Sequence, residues 1–299
     1  MLKEIESQLN SFKKINKNRG RLLISCLDQP GIISKISKFL FSHGANIIES
    51  NQYSINPHGG DFFIRIDFEA PDLIDKKETL MEDFQPIAET FSMTWELHLV
   101  SELKRMAIFA SKDLNCLREL LWQWQNGDLM AEIPLVVSNH ETARPLVEQL
   151  GIPFYYLPAS KENRTEVEKK QLQLMSEYDI DVIVLARYMQ ILTPHFVASH
   201  PMKIINIHHS FLPAFVGARP YERAYQRGVK LIGATSHYVT NDLDEGPIIE
   251  QDTVRVDHRF DVDELKKMGG NIERNVLARA VKWHLQDRII VHGNKTIVF

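Results

Sequence analysis

Two polar segments in the second half of the sequence carry side chains that could act together on a carbonyl group. In the first, an apolar run typical of a buried strand ends at Asn206 and His208. Because side chains two residues apart along a strand point to the same face, the amide and the imidazole are predicted to share one pocket wall, whereas His209 faces elsewhere. In the second, the predicted strand 231–239 runs into an acidic turn that contains Asp244. If the two strand ends are neighbours, an amide, an imidazole and a carboxylate converge.

These three groups suit nucleophilic attack on a carbonyl carbon. The tetrahedral intermediate needs donors aimed at its oxyanion, which Asn206 and a protonated His208 could supply, while Asp244 orients the imidazole and a nucleophile. Each residue taken alone has a simpler interpretation. A histidine at a strand end is usually a hydrogen-bonded structural residue, and an aspartate shortly before Gly-Pro is usually part of a turn. Spacing alone therefore leaves the function open.

The composition indicates a globular protein of one large or two moderate domains. Of the 299 residues, 44% are hydrophobic and 25% are charged, which is enough apolar material for a core. The net charge of −4 gives no overall positive field for nucleic acid or an anionic membrane. Cys26 and Cys116 have neither disulfide nor zinc spacing, and no stretch has the roughly 18 apolar residues of a membrane span or the apolar core of a signal peptide. We therefore expect a cytoplasmic protein.

The first hundred residues predict a small α/β domain. After a polar segment at 1–20, apolar patterning and turn residues give the order β-α-β-β-α-β, which is typical of a ferredoxin-like fold. The predicted strands cover 21–27, 47–56, 62–66 and 91–99, the helices cover 32–43 and 73–88, and a hairpin turn occupies 57–60. This assigns a domain to 21–100 and a charged linker to 101–105.

From residue 106 onward, strands alternate with helices, which predicts a mainly parallel sheet covered on both faces. Ligands of such sheets bind beyond the carboxyl ends of the strands, where Asn206 and His208 are expected. The predicted strands are 106–110, 134–138, 154–157, 181–185, 203–207 and 231–239, the helices are 114–125, 141–149, 163–178, 219–227 and 262–286, and a hairpin ends the chain at 289–299. The second domain is thus expected to span 106–299.

Four motifs around the candidate residues resemble the folate-dependent formyltransferases, and within them the formyltetrahydrofolate deformylase family. They are NIHHSFLPAF at 206–215, GARPY at 217–221, GATSHYV at 233–239 and LDEGPII at 243–249. The resemblance covers nearly the whole chain. It implies an N-terminal ACT-type regulatory domain and a Rossmann-like formyltransferase domain, with the family's catalytic Asn, His and Asp at Asn206, His208 and Asp244.

The resemblance implies an enzyme that hydrolyses 10-formyltetrahydrofolate to formate and tetrahydrofolate. Such a reaction balances the one-carbon folate pools and supplies formate for purine synthesis. No cofactor beyond the folate substrate is implied, and no metal-ligand spacing such as H-E-x-x-H occurs. The expected folate contacts are Arg187, Tyr188, Met189, Gln190, Ile191 and Leu192, followed by Thr240, Asn241, Leu243 and Gly246.

Two departures from the transferases favour water over an amine as the acceptor. Glycinamide ribonucleotide formyltransferases have a glycine-rich phosphate loop after their first strand, whereas residues 111–115 read Ser-Lys-Asp-Leu-Asn. Those enzymes also have His-Pro-Ser where this chain has His-His-Ser at 208–210. The alternative is a formyltransferase that formylates an amine such as glycinamide ribonucleotide. An inactive ACT-containing sensor is disfavoured because all three candidate catalytic residues are present.

Further residues are assigned supporting roles. His209 and His237 either support the catalytic groups or serve only in packing. The turn 28–32 resembles the loop with which ACT domains bind amino acids between paired subunits, although it could be an ordinary strand-to-helix turn. Arg219, Arg223 and Arg227 form a stripe that either meets the folate glutamate tail or is solvated. We expect a homo-oligomer with an amino-acid effector, such as glycine or methionine, bound by Asp28, Gly31, Ile32, Gly44 and Asn46.

Overall fold

The structure, a computed structural model, describes residues 2–56, 59–160, 162–213 and 219–299. Its contacts divide the chain into two compact units. The N-terminal unit contains residues 6–103, and the C-terminal unit contains residues 104–285 and also 2–5, at the start of the first helix. The end of the chain contributes to both: 286–292 and 297–299 group with the first unit, and 293–296 group with the second. This sharing differs from the assignment of all of 106–299 to one domain.

The N-terminal unit has a four-stranded antiparallel sheet in the order β2-β3-β1-β4. The β-α-β-β-α-β order that the sequence predicts is therefore confirmed, as is the ferredoxin-like fold class. The hairpin turn expected at 57–60 lies partly outside the described residues. The strands are β1 (Arg19–Leu27), β2 (Asn46–Ser54), β3 (Asp61–Glu69) and β4 (Thr94–Leu99), and the helices are α1 (Leu2–Ile15), α2 (Ile32–Ser42) and α3 (Leu73–Thr90).

The core of this unit lies between the sheet and one face of its helices. Helix α2 buries Ile32, Ile36, Phe39 and Leu40, a spacing that places all four on one side of the helix. Strand β2 lies at the edge of the sheet and is exposed at almost every position.

A buried cation explains why residues 286–292 group with the N-terminal unit. Arg65 on β3 is only 4% exposed, and its Nε donates to the backbone oxygen of Asp287 over 2.9 Å. Nη1 of Arg21 donates to the Asp287 carboxylate over 3.0 Å. A buried guanidinium is costly without such partners, so the segment that supplies them belongs to this unit. The hairpin that follows consists of β12 (Ile289–His292) and β13 (Lys295–Val298).

The C-terminal unit is built on a seven-stranded sheet in the order β11-β10-β9-β8-β5-β6-β7. Five strands run parallel, whereas β10 and β11 run antiparallel to their neighbours, so the predicted mainly parallel sheet is confirmed. The strands are β5 (Arg105–Ala110), β6 (Glu132–Ser138), β7 (Phe154–Tyr156), β8 (Val182–Ala186), β9 (Ile204–His208), β10 (Leu231–Tyr238) and β11 (Ile248–Arg255). The helices are α4 (Asn115–Gln125), α5 (Arg144–Gln149), α6 (Arg164–Glu177), α7 (Pro194–Ser199), α8 (Pro220–Arg227) and α9 (Val262–Leu285), with a 3₁₀ turn at Glu141–Ala143.

Three elements were missed from the sequence. Helix α1 lies within the segment expected only to be polar, α7 has just six residues, and β11 carries a largely polar sequence, IIEQDTVR. Two of them lack a clear apolar period, because β11 is an edge strand and a two-turn helix is too short to show one. Helix α1 does carry the helical spacing, at Ile5, Leu9 and Phe12, and its many polar residues hid it. Within the described ranges, no helix is long and apolar enough to cross a membrane.

Candidate active site

The structure brings the three candidate catalytic side chains into one cluster around His237. Strands β9 and β10 pair antiparallel, with His237 opposite Asn206. Nδ2 of Asn206 lies 3.2 Å from Nε2 of His237, and the Asp244 carboxylate lies 3.1 Å from Nδ1 of His208 and 3.6 Å from Nε2 of His237. An amide, two imidazoles and a carboxylate are therefore linked by a chain of contacts that runs from Asn206 through His237 and Asp244 to His208.

The two strands meet differently from the sequence-based expectation. Because β10 runs antiparallel to β9, its carboxyl end does not lie beside the carboxyl end of β9. Instead, the segment after β10 folds back, and the backbone N–H of Tyr238 donates to the oxygen of Pro247 over 2.9 Å. Asp244 sits on this closed turn in the left-handed region, with φ of 59°. The turn returns its carboxylate to His208.

Gly246 is required by the closeness of this turn to β10. A Cβ atom at this position would lie 1.8 Å from the backbone oxygen of Tyr238. Gly246 is one of the folate contacts expected from the family resemblance, and the structure adds a packing reason for a glycine there. Any larger residue would displace the turn that holds Asp244.

We expect Gly246→Ala to lower both stability and activity. Forcing a methyl group against a rigid backbone atom typically costs about 1–3 kcal/mol, and displacement of Asp244 should lower formate release by about tenfold or more. Thermal unfolding measures the loss of stability, and the rate of formate release measures the loss of activity. Gly270→Ala is the matched control, because its Cβ would meet only Nδ2 of Asn115 at 3.7 Å. Equal behaviour of the two variants would contradict this role of Gly246.

The two ring nitrogens of His208 have different surroundings. The residue is 5% exposed, and its Nδ1 contacts Asp244. Its buried Nε2 has no hydrogen-bond partner among the described residues. Leaving a buried polar atom unpaired costs about 1–3 kcal/mol, so such an atom in a polar cluster points to a ligand as its partner.

The Asp244 carboxylate is ionised at neutral pH. Burial alone would raise its pKa, but the contacts with His208 and His237, together with the charge of both rings when protonated, hold the pKa of this carboxyl well below its usual range. The site therefore contains a fixed negative charge beside two imidazoles.

His237 fixes the orientation of the Asn206 amide. Its Nδ1 lies 2.9 Å from the backbone oxygen of Tyr238, which can only accept a hydrogen bond, so we assign the ring proton to Nδ1. In the neutral ring, Nε2 is then an acceptor for Nδ2 of Asn206. This contact turns the NH₂ group, rather than the amide oxygen, towards the cluster. The supporting role expected for His237 thus has a geometric basis.

His209 does not face away from His208 as strand alternation predicts. The two rings are stacked, with centroids 5.2 Å apart and planes at 23°. Alternation fails because β9 ends at His208, so the next residue is no longer in the strand. Burial, with smaller effects of Arg187 and His208, lowers the pKa of His209 to about 4. It is therefore a neutral ring that packs against His208.

Comparison with known proteins identifies the family. The sequence profile of the family described as Formyl transferase matches residues 104–281, and that of the ACT domain matches residues 20–83. The chain is 67% identical to formyltetrahydrofolate deformylase of Bacillus subtilis (strain 168), over 98% of this chain and 97% of that protein. The chain belongs to the formyltetrahydrofolate deformylase family. The resemblance drawn from the motifs at 206–249, and the expectation of an enzyme, are confirmed.

Solved structures extend this family relationship to the fold. The crystal structure of a formyltetrahydrofolate deformylase from Pseudomonas syringae pathovar tomato is 45% identical, has a TM-score of 0.90 and covers 94% of each chain. A glycinamide ribonucleotide transformylase from Symbiobacterium toebii is 27% identical and has a TM-score of 0.61. It covers 66% of this chain and 94% of its own. The fold of this deformylase family member is thus shared in part with enzymes named as transformylases.

The expected folate contacts of this deformylase family member differ in how far their side chains are exposed. Met189, Ile191 and Leu243 are large apolar side chains that are 61%, 61% and 59% exposed, as a surface that receives a ring would be. Tyr188 and Leu192 instead pack in the apolar core beside β8, so only their backbone can face a ligand. Of the others, Asn241 is exposed, Gln190 and Thr240 are half-buried, and Arg187 pairs with Glu273.

Helix α6 fastens the loop that carries these residues, an arrangement that the sequence analysis missed. Nε2 of Gln171 donates to the Tyr188 hydroxyl over 2.8 Å, and Arg164 donates to the backbone oxygen of Ile191. The Glu168 carboxylate accepts the backbone N–H of Thr193 over 2.8 Å and also its hydroxyl. Spacings of four and three residues put Arg164, Glu168 and Gln171 on one face of α6.

We expect Glu168→Ala to loosen this loop. Two donors of Thr193 would lose their acceptor, at a cost of about 1–3 kcal/mol in the free energy of unfolding. The KM for the folate substrate should rise more than kcat falls, since the loop lies outside the catalytic cluster. Chemical denaturation and steady-state kinetics measure these effects. Glu166→Ala, on the exposed side of α6, is the control. A KM equal to that of the wild type would contradict the fastening role.

Two further sequence-based expectations concern the arginine stripe and the lack of metal-ligand spacing. Arg219 and Arg227 are exposed and Arg223 is half-buried, but Arg219 precedes α8, so the stripe is only partly helical. Among the described residues, no group of three or more His, Cys, Asp or Glu side chains could hold a metal ion. Residues 214–218, which contain part of two family motifs, lie outside the described residues.

Proposed function

We propose that this protein hydrolyses 10-formyltetrahydrofolate to formate and tetrahydrofolate, with Asn206, His208 and Asp244 as the catalytic residues. The observation that carries the proposal is the His208 ring, whose Nδ1 contacts the Asp244 carboxylate while its buried Nε2 has no partner among the described residues. Membership of the deformylase family supplies the substrate. The orphaned nitrogen is placed to bond the formyl oxygen.

The steps follow from the charges of these groups. Asp244 and neutral His208 position a water molecule against the formyl carbon, and His208 takes one of its protons as the C–O bond forms. The oxyanion then bonds to the Asn206 NH₂ group and to protonated His208. On collapse, the C–N10 bond breaks, His208 returns the proton to N10, and formic acid leaves and loses its remaining water-derived proton to solvent as formate. Asp244 remains ionised throughout and stabilises the imidazolium.

An assay without any amine acceptor tests this function. Incubation of the full chain with 10-formyltetrahydrofolate should release formate and tetrahydrofolate in equal amounts, because water is the acceptor. Enzymatic detection of formate and the absorbance of the folate measure both products. If formyl consumption required an added amine, the protein would be a formyltransferase and the proposal would be rejected. We expect no cofactor or metal requirement beyond the folate itself.

We further propose that the pteridine ring lies between the 187–192 loop and the 240–246 turn. Exposed Met189, Ile191 and Leu243 would cover the ring, and backbone groups of both segments would bind its polar edge. Gly246 keeps the 240–246 turn close to β10, and the same turn carries Asp244. A ring bound against this turn would therefore lie near the proposed catalytic carboxylate, which supports the placement.

The N-terminal unit is proposed to bind an amino-acid effector, glycine or methionine, in a homo-oligomer. Gly31 and Gly44 have φ of 98° and 71° with open space around them, and Asn46 is exposed. Asp28 is half-buried and accepts the Ser54 hydroxyl over 2.6 Å, whereas Ile32 is 2% exposed and serves the core. The exposed edge strand β2 offers backbone groups to a second subunit.

The cytoplasmic location stays a prediction from composition.

Calorimetry on the full chain should show saturable binding of glycine or methionine. Gly31→Ala should weaken it, because a side chain would strain the backbone and enter the open space. Gly293→Ala is the control: it has a similar left-handed backbone, with φ of 57°, and lies in the C-terminal hairpin. If neither amino acid gave heat, this choice of effector would be wrong.

A further inference from the structure

The crevice at the centre of the parallel sheet is occupied by charged side chains of the protein itself. β5 lies between β6 and β8, so the chain moves to one side of β5 through β6 and to the other side through β8. Such a change of direction leaves a crevice at the carboxyl ends of the two strands, where ligands of open sheets bind. Ala110 pairs with Ala186 at this end. The residues that follow them therefore leave the sheet side by side.

Asp113 stands in this crevice where an anion would bind. Its Oδ1 accepts the backbone N–H of Asn115, the first residue of α4, over 2.9 Å. Its Oδ2 lies 3.5 Å from Nε of Arg187. A helix N-terminus and a guanidinium are both groups that attract phosphate. In this chain, the Asp113 carboxylate already contacts both of them.

Arg187 is also held from its other side, which leaves the cluster with no excess positive charge. Its Nη1 donates to Glu273, which is 1% exposed and accepts the Tyr221 hydroxyl over 2.6 Å. One guanidinium faces two carboxylates, a sum of +1 and −2, so the cluster carries one net negative charge. The Tyr221 ring lies 6.3 Å from the His209 ring, which stacks on His208. Packed rings thus connect this cluster with the catalytic imidazole.

We propose that Asp113 is a specificity-determining residue that excludes phosphorylated amines from the crevice, so that water alone reaches the formyl carbon. This inference rests on the proposed function. Transfer to an amine would form a new C–N bond, break the C–N10 bond and move one amine proton to N10, with the same groups as hydrolysis. The fold is shared with an enzyme named for a ribonucleotide acceptor. A hydrolase on this fold therefore needs a feature that rejects such acceptors.

Asp113→Asn tests the proposal by removing the charge and keeping the shape. The amide oxygen can still accept the N–H of Asn115, while the cluster becomes neutral. Inorganic phosphate and 2-aminoethyl phosphate, measured by calorimetry on the full chain, should each bind at least about tenfold more tightly than to the wild type, where tenfold corresponds to about 1.4 kcal/mol. Asp128→Asn, an exposed change beyond the far end of α4, should bind both as weakly as the wild type. Asp113→Ser, whose hydroxyl can also cap Asn115, repeats the test should the first variant fold poorly.

The outcomes separate this inference from the function on which it rests. A gain in affinity for both anions supports exclusion by Asp113. No gain for either one, in folded variants that still release formate, overturns the inference and leaves the hydrolase intact. Failure of the wild type to release formate from 10-formyltetrahydrofolate without an acceptor rejects the proposed function, whatever the anion affinities are.

Discussion

Replacing Asp244 with Asn is expected to lower the turnover of 10-formyltetrahydrofolate by about 10²- to 10⁴-fold. The substitution keeps the shape of the side chain and suits the backbone, because Asn tolerates the left-handed φ of 59° better than most residues. What it removes is the negative charge 3.1 Å from Nδ1 of His208. The imidazolium formed during attack then loses its stabilising partner, and kcat should fall more than KM rises.

Formate release at saturating substrate measures the effect, and Asp242→Asn is the matched control. Asp242 lies two residues away on the same turn, is exposed and makes its described hydrogen bonds through its backbone oxygen. It should retain wild-type turnover. Near-normal turnover of Asp244→Asn would remove this residue from the mechanism.

The low pKa of Asp244 also predicts how the stability difference between the wild type and Asp244→Asn depends on pH. Because its pKa is lower in the folded protein than the value of about 3.9 in unfolded chains, the carboxylate stabilises the fold fully above pH ~4. That contribution is lost as the pH falls through the folded-state pKa. The difference in free energy of unfolding between the wild type and Asp244→Asn should therefore shrink on acidification. A constant difference would contradict the ion pair.

Part of the candidate catalytic cluster could be predicted from sequence because strand alternation is a local rule. Asn206 and His208 are two residues apart in an apolar strand, so their shared face follows from backbone geometry alone. The possible roles of the three residues followed from their chemistry, whereas the substrate, and the choice of a catalytic over a structural interpretation, came from the family resemblance. The antiparallel direction of β10 could not be predicted, because hydrogen-bond pairing with β9 depends on residues distant in the chain. Asp244 reaches His208 through a folded-back turn rather than by adjacent strand ends.

The supporting residues were harder to predict because their partners are far apart in sequence. Glu273 on α9 pairs with Arg187, and Glu168 on α6 accepts hydrogen bonds from Thr193; each is an acidic residue within a helix with no local sign of burial. The side chains of Tyr188 and Leu192 pack in the core, so a contact of these two residues with the folate stays a prediction about their backbone groups. The sequence showed only that 111–115 lack a glycine-rich phosphate loop, and the contacts of Asp113 with α4 and Arg187 needed the structure.

His208→Ala is expected to cause a loss at least as large, about 10²- to 10⁴-fold in kcat, because one ring serves two steps. It accepts the proton of water and then, protonated, stabilises the oxyanion and protonates N10. His195→Ala, an exposed histidine on α7, is the control and should leave turnover unchanged. Steady-state formate release measures both variants.

Rescue by added imidazole separates a chemical role of His208 from a structural one. The ring is 5% exposed, so its removal leaves a cavity between Asp244 and the His209 ring that free imidazole can fill. A bound imidazole can exchange protons with water and N10, and formate release should rise with its concentration until the cavity is saturated. His195→Ala should show no such dependence. A loss of activity in His208→Ala that imidazole does not restore, together with a lowered Tm, would indicate that the ring supports packing and that another group moves the proton.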